Sequence, residues 1–289
     1  MEDDFWKTMF LSAVVLILQE MLEAALLVSV MLIFTHIFNQ LWHGSMQLTR
    51  YWVLYSIVLG SVGAALFAYF TPAISVWFDY VGQEVVNAGI HITTLSLLML
   101  LAFAVPTTQL DANPLQRGRV IVFCMTGVVL FSIVREGSEI ILYLEGITSQ
   151  PENVTPVIFG GLLGAGIGIS TGILLFYGLA SLSSRWSFRV GLLLLCLIAG
   201  NMAAQAALLL NQADWLPYTP ALWDSSALIP EESIVGRLLY ALIGYEATPS
   251  AAQVICYGTG IVVVALSPLS RRLWRFNAED RVLPVGEMH

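Results

Sequence analysis

Two pairs of glutamates sit where a chain rarely places charge. Residues 18–27 read LQEMLEAALL and residues 131–146 read FSIVREGSEIILYLEG, so Glu20 and Glu23, and Glu136 and Glu139, each lie three residues apart inside apolar runs. On a helix that spacing puts both carboxylates of a pair on one face. A charged side chain at mid-bilayer costs about 2.5–3.5 kcal/mol even on the lenient insertion scale. Arg135 is the base beside them, so four carboxylates and one guanidinium give −4 + 1 = −3 if all are ionised. Such a centre calls for protonation or for a cation among the acids, and a cluster of hard oxygen ligands suits a hard multivalent cation. Tyr143, one turn past Glu139, is expected to hydrogen-bond to it.

Apolar helices must hold these groups. The chain has 289 residues, 57% hydrophobic and only 11% charged, with a mean hydropathy of +0.79. A soluble domain carries about 25% charged residues, so a soluble globular protein is excluded. Crossing the hydrocarbon takes about 20 residues of helix. Seven runs qualify, at about 9–35, 52–71, 83–105, 119–144, 157–181, 188–211 and 250–268. An acidic start, MEDDFWK, lacks the basic n-region of a signal peptide, so the first run is expected to stay as a helix. Cys124, Cys196 and Cys256 have no CxxC spacing and argue neither a disulfide framework nor a zinc site. The connection at about 212–249 is an external loop, too short for more than a partly ordered lid, and 269–289 is a cytoplasmic tail.

Charge orients the spans. One side collects Arg50, Arg117, Arg119, Arg185, Arg189, Arg271, Arg272, Arg275 and Arg281, whereas the other has Lys7 and Arg237. The Arg-rich side is cytoplasmic by the positive-inside rule, so the N-terminus lies outside and the C-terminus inside. The outer side is acidic, with Glu2, Asp3, Asp4, Asp79, Glu84, Glu145, Glu152, Asp214, Asp224, Glu231, Glu232 and Glu246. Asp224, Glu231 and Glu232 form the expected external mouth, where negative potential gathers cations.

The first three spans echo the next three. Residues 19–23, QEMLE, overlay 135–139, REGSE; VLGSVGAALFAY at 58–69 echoes LLGAGIGISTGILLFY at 162–177. Copies separated by an odd number of spans run in opposite directions, the mark of an inverted repeat whose sites meet near the midplane. Repeat one covers about 9–105 and repeat two about 119–211, within a single all-α transmembrane domain. Gly60, Gly63, Gly160, Gly161, Gly164, Gly166 and Gly168 suit close helix packing. Met21 and Met202 are expected as core fillers.

On these residues the chain resembles the high-affinity iron permease family, the oxidase-dependent iron transporters, as a bacterial-type member. That family carries Arg-Glu-x-x-Glu in its first and fourth helices. REGSE at 135–139 is a full match, while QEMLEAALLV at 19–28 has Gln19 for Arg and Met21 for Gly. Residues 188–217 resemble the family's sixth helix, and 222–250, with Trp223-Asp224, Gly244-Tyr245 and Pro249-Ser250, its external loop. The first motif is divergent, Asn87 stands where relatives often have an acid, and Leu208-Leu209 where they often have His-Glu. The resemblance implies import of iron, as Fe³⁺, across the inner (plasma) membrane through Glu20, Glu23, Glu136 and Glu139, supported by Arg135, Gln19, Tyr143, Asn87 and Glu84. It also implies an external ferroxidase, cupredoxin-like or iron-binding partner, with iron as cargo and no tightly bound cofactor. Nucleic acid is not an expected partner; membrane lipid is.

Two other readings stand beside it. The same fold could carry ferrous iron, manganese or lead, because oxygen-rich sites do not by themselves separate hard cations. A membrane di-iron oxidase would need Glu-x-x-His motifs. None of His36, His43, His91 and His289 sits three residues after a Glu, so an enzyme is not expected. His36 and His43 fall near the cytoplasmic end of the first span and His91 inside the third.

Overall fold

A computed structural model describes the main chain of residues 2–41, 48, 51–107, 114–148 and 151–267, without the side chains at 2–4, 41, 105–107, 114–117, 148 and 151–153. The side chains of Glu2, Asp3, Asp4, Arg117 and Glu152, and the whole of His43, Arg50, Arg271, Arg272, Arg275, Arg281, His289 and the tail at 269–289, lie outside what is described, and so do the expectations on them.

Apolar sequence without water leaves backbone groups only each other as partners, and helices result. In chain order they are α1 (Glu2–Leu41), α2 (Tyr51–Ser75), α3 (Gly82–Thr107), α4 (Pro114–Thr148), α5 (Pro151–Ser181), α6 (Ser184–Gln212), α7 (Ile234–Ile243) and α8 (Ala251–Leu266). Six of them, α1 to α6, are long and apolar enough to cross a membrane. The seventh expected span is α8, 16 residues among those described and shorter than the other six. α1 runs 40 residues, well past both expected ends, because Gln and Lys flanking the apolar run are good helix formers. α4 and α5 begin at prolines, whose missing N–H is no loss in a first turn.

α1 packs along α5, and α2 along α4. Glycine makes both approaches possible. A Cβ at Gly164 would stand 2.5 Å from the Val14 carbonyl oxygen, and one at Gly60 would stand 2.8 Å from Ile133 Cβ. α3 packs on α6 and α4, and α6 on α8. The core lies between α1, α3, α4 and α6, where Val30, Met31, Leu98, Leu101, Met125, Val128 and Leu195 are buried. Outward faces of α2 and α5 expose Leu59, Leu66, Leu162 and Leu174, apolar surface that suits acyl chains.

The connection between α6 and α8 is ordered beyond the expected partial lid. Ser233 caps α7, accepting from Gly236 N at 3.0 Å, and Gly244 ends it with φ 70. Leu222 N donates to the Pro249 carbonyl at 2.9 Å and Ser225 N to that of Ala247 at 2.9 Å. The Tyr245 hydroxyl donates to the Ile229 carbonyl at 3.0 Å. Backbone partners of this kind fix a short loop without a core of its own. Ser250 and Gln253 then form a capping box that starts α8.

Candidate metal centre

α1 and α4 meet at their acidic faces. Glu20, Glu23 and Glu136 are buried, at 5%, 4% and 2% exposure, while the side chain of Glu139 is 36% exposed. Carboxylate oxygens of Glu20, Glu136 and Glu139 all lie within 4.8 Å of one another. Among the described residues no other group of three His, Cys, Asp or Glu comes together this way.

Arg135 organises the rest. Its Nη1 donates to Glu23 Oε2 at 3.2 Å and to Glu136 at 2.9 and 3.0 Å, and its Nη2 reaches Glu139 Oε1 at 3.2 Å. One guanidinium therefore serves three carboxylates on two helices. Glu20 is the acid it does not reach within ion-pair distance, and Glu20 Oε2 is buried without a partner, as is Glu23 Oε1. A buried acid cluster with one base and open oxygens can take a cation as its missing counter-charge. It fits a metal by donor chemistry too, since carboxylate oxygen is a hard ligand.

The supporting residues divide. Asn87 is buried on α3 with Oδ1 unpaired, and Glu84 stands in the first turn of that helix. Gln19 is half-buried beside Glu20 and enters none of Arg135's bonds. The expected bond from Tyr143 to Glu139 is not made: Tyr143 OH is buried without a partner. Helical side chains lean toward the N-terminus, so Glu139 reaches back one turn to Arg135 instead.

Among the described residues, the three external acids do not bring ligand atoms within 4.8 Å of one another. Asp224 accepts from the Ser226 hydroxyl at 2.5 Å and from Ser226 N at 2.9 Å, and these two bonds, the hydroxyl's first, hold its carboxyl below the usual range. Glu231 accepts from Ala247 N at 2.7 Å, pinning the loop, and Glu232 pairs with Arg237 at 3.2 Å. Each is used locally, as turn, tie and surface pair.

Sequence reasoning passed over one group and read another as filler. Tyr240 of α7 lies close enough to interact electrostatically with Glu23, Arg135, Glu139 and Glu20. The amphipathic run 234–243 inside a supposed loop was the available signal. Met202, expected as filler, places its sulfur 3.1 Å from His91 Nδ1.

Compared with known families, residues 9–270 match the model of the Iron permease FTR1 family. A protein of Escherichia coli O6:H1 (strain CFT073) named ferrous iron permease EfeU is 26% identical over 250 residues, 83% of this chain and 88% of its own length. Proteins of the same name from Shigella flexneri and Escherichia coli O157:H7 are each 28% identical over 143 residues, 49% of this chain. The matched segment covers 60% and 51% of those two relatives. No solved structure matches.

Proposed function

Because the chain belongs to the Iron permease FTR1 family, we propose that it imports iron through the carboxylate centre of α1 and α4. With its long apolar helices it is a multi-pass membrane protein, of the inner membrane in a bacterial cell. The observation that carries the site reading is the buried cluster of Glu20, Glu136 and Glu139, acids in excess of the one base that serves them.

In this reading an ion arrives at Glu139, the carboxylate with most exposure. Glu20, bound to no base, is the open ligand that draws it inward. The ion then competes with the guanidinium for Glu136 and Glu139. As it leaves, Arg135 closes back on the same oxygens, which keeps binding weak enough for release. α7, which carries Tyr240, packs on α1, the helix of Glu20 and Glu23, and so borders the site from the loop.

The pairing of α1 with α5 and of α2 with α4 supports the inverted repeat, since exchanging the halves maps one contact onto the other. Exposed Arg119, Arg185 and Arg189 at the starts of α4 and α6 support a cytoplasmic face there, and so an external N-terminus. The ordered loop at 212–249 is the surface offered to an external ferroxidase, cupredoxin-like or iron-binding partner.

Two forms of iron have support. Charge balance favours Fe³⁺, because −3 + 3 = 0 for the ionised centre. The names of the relatives favour Fe²⁺. Uptake into proteoliposomes of ⁵⁵Fe, kept reduced in one series and supplied as a ferric chelate in the other, decides between them. Uptake of neither, above protein-free vesicles, would refute iron transport.

A further inference from the structure

His91 is a buried titratable group that the carboxylate centre does not use. It sits on α3, 1% exposed, where that helix packs on α4 and α6. Its Nδ1 lies 3.1 Å from Met202 Sδ. A thioether sulfur can only accept, so the contact assigns the hydrogen to Nδ1 and leaves the lone pair on Nε2. Nε2 is buried with no partner. On the same face one turn earlier, Asn87 Oδ1 is also buried with no partner. Glu84, Asn87 and His91, spaced three and then four residues, line that face from the start of α3 inward. α3 packs on α4, the helix that carries Arg135, Glu136 and Glu139, so this face of α3 neighbours the charged centre.

Unpaired acceptors inside an apolar bundle are a standing cost unless something electropositive fills the gap. We propose that His91 Nε2 and Asn87 Oδ1 form a second, neutral-donor station for the metal ion beside the carboxylate centre, with Met202 as the positioning residue that fixes the imidazole tautomer. Imidazole suits first-row ions such as iron, and a hydrogen bond from its other nitrogen sets ring orientation in metal sites generally. Neutral ligands also let an ion step off the acids without gaining another full counter-charge. The inference rests on the carboxylate reading above.

The test uses the full chain in lipid nanodiscs with Mn²⁺ as the probe, read by pulsed electron paramagnetic resonance. A directly bound imidazole nitrogen modulates the Mn²⁺ echo. Expected is a ¹⁴N pattern that changes to a ¹⁵N pattern when the protein is made with ¹⁵N-histidine, an arm that needs no mutation. The pattern should vanish in His91→Gln and persist in His36→Gln. Met202→Leu should keep the fold and weaken Mn²⁺ binding about tenfold, the scale of losses seen when an outer partner of a metal ligand is removed. If Mn²⁺ binding falls in Glu136→Gln but no nitrogen modulation is seen in the parent, the second station is wrong and the carboxylate site stands. Modulation that survives His91→Gln has the same meaning. Mn²⁺ binding indifferent to Glu136→Gln would overturn both.

Discussion

The acidic faces of α1 and α4 look alike in sequence and behave differently in the structure. α4 carries its own base, and Arg135 holds Glu136 and Glu139 from the same helix. α1 has Gln19 at the matching place, so Glu23 borrows Arg135 across the interface and Glu20 keeps an unpaired oxygen. One half is internally neutralised in part, the other depends on its neighbour. An asymmetry of this kind gives a site built from similar halves one closed side and one open side. In the proposed reading, the open side, Glu20, is where a cation gains most.

Removing the shared base breaks the comparison hardest. Arg135→Gln leaves four acids and no base, and loss of one partner from a buried ion pair costs about 3–5 kcal/mol. Expected is a sharp fall in membrane-inserted protein on immunoblots, partly rescued by Glu23→Gln in the same chain. Next comes Gln19→Arg, which gives α1 the base it lacks. The added cation competes with the substrate, so uptake should fall several-fold while thermal stability rises, read by a melting assay in detergent. Third, the two α1 acids should separate. Glu20→Gln should weaken metal binding with stability unchanged or raised, because it removes repulsion and no ion pair. Glu23→Gln should also lower stability by about 1–3 kcal/mol, since it removes a charged partner of Arg135. Equal stability effects at the two positions would erase the proposed asymmetry.

The smallest expected effect is in the external loop. Glu246 is pushed above the usual carboxylate range, first by burial and then by Glu231, against a bond donated by Gln253. A raised value in the folded state means stability present below the unfolded-state value and lost as pH rises through the folded one. The loop should therefore loosen from acid toward neutral pH, by a small amount because the group is partly exposed. Protease nicking within 212–249 would report it, and Glu246→Gln should flatten the pH dependence.

Much of this was readable in the residues themselves. Charges at 20, 23, 135, 136 and 139 stand out against apolar surroundings, and REGSE pointed to the family whose model matches the chain. Apolar runs marked seven spans, six of which are long helices and the seventh the shorter α8, though α1 overran its expected ends since helix propagation does not stop at a hydropathy boundary. What the sequence could not carry was the choice of partner. Arg135 could have taken any of four acids, and Tyr143 was one turn from Glu139 yet makes no bond to it, because side-chain direction outweighs spacing. Tyr240 comes near the centre only through the capped helix α7, whose position depends on long-range ties such as Glu231 to Ala247.

The central claim is that the carboxylates bind the ion in transit, and initial iron uptake measured beside protein level tests it most directly. Proteoliposomes holding equal amounts of the parent, Glu20→Gln, Glu136→Gln and the double substitution would be compared across iron concentrations. Each single change should raise the half-saturating concentration about tenfold or more, and the double should be little worse than the weaker single, because neighbouring ligands of one site do not add. Normally inserted variants that all import iron at the parental rate and affinity would contradict the account.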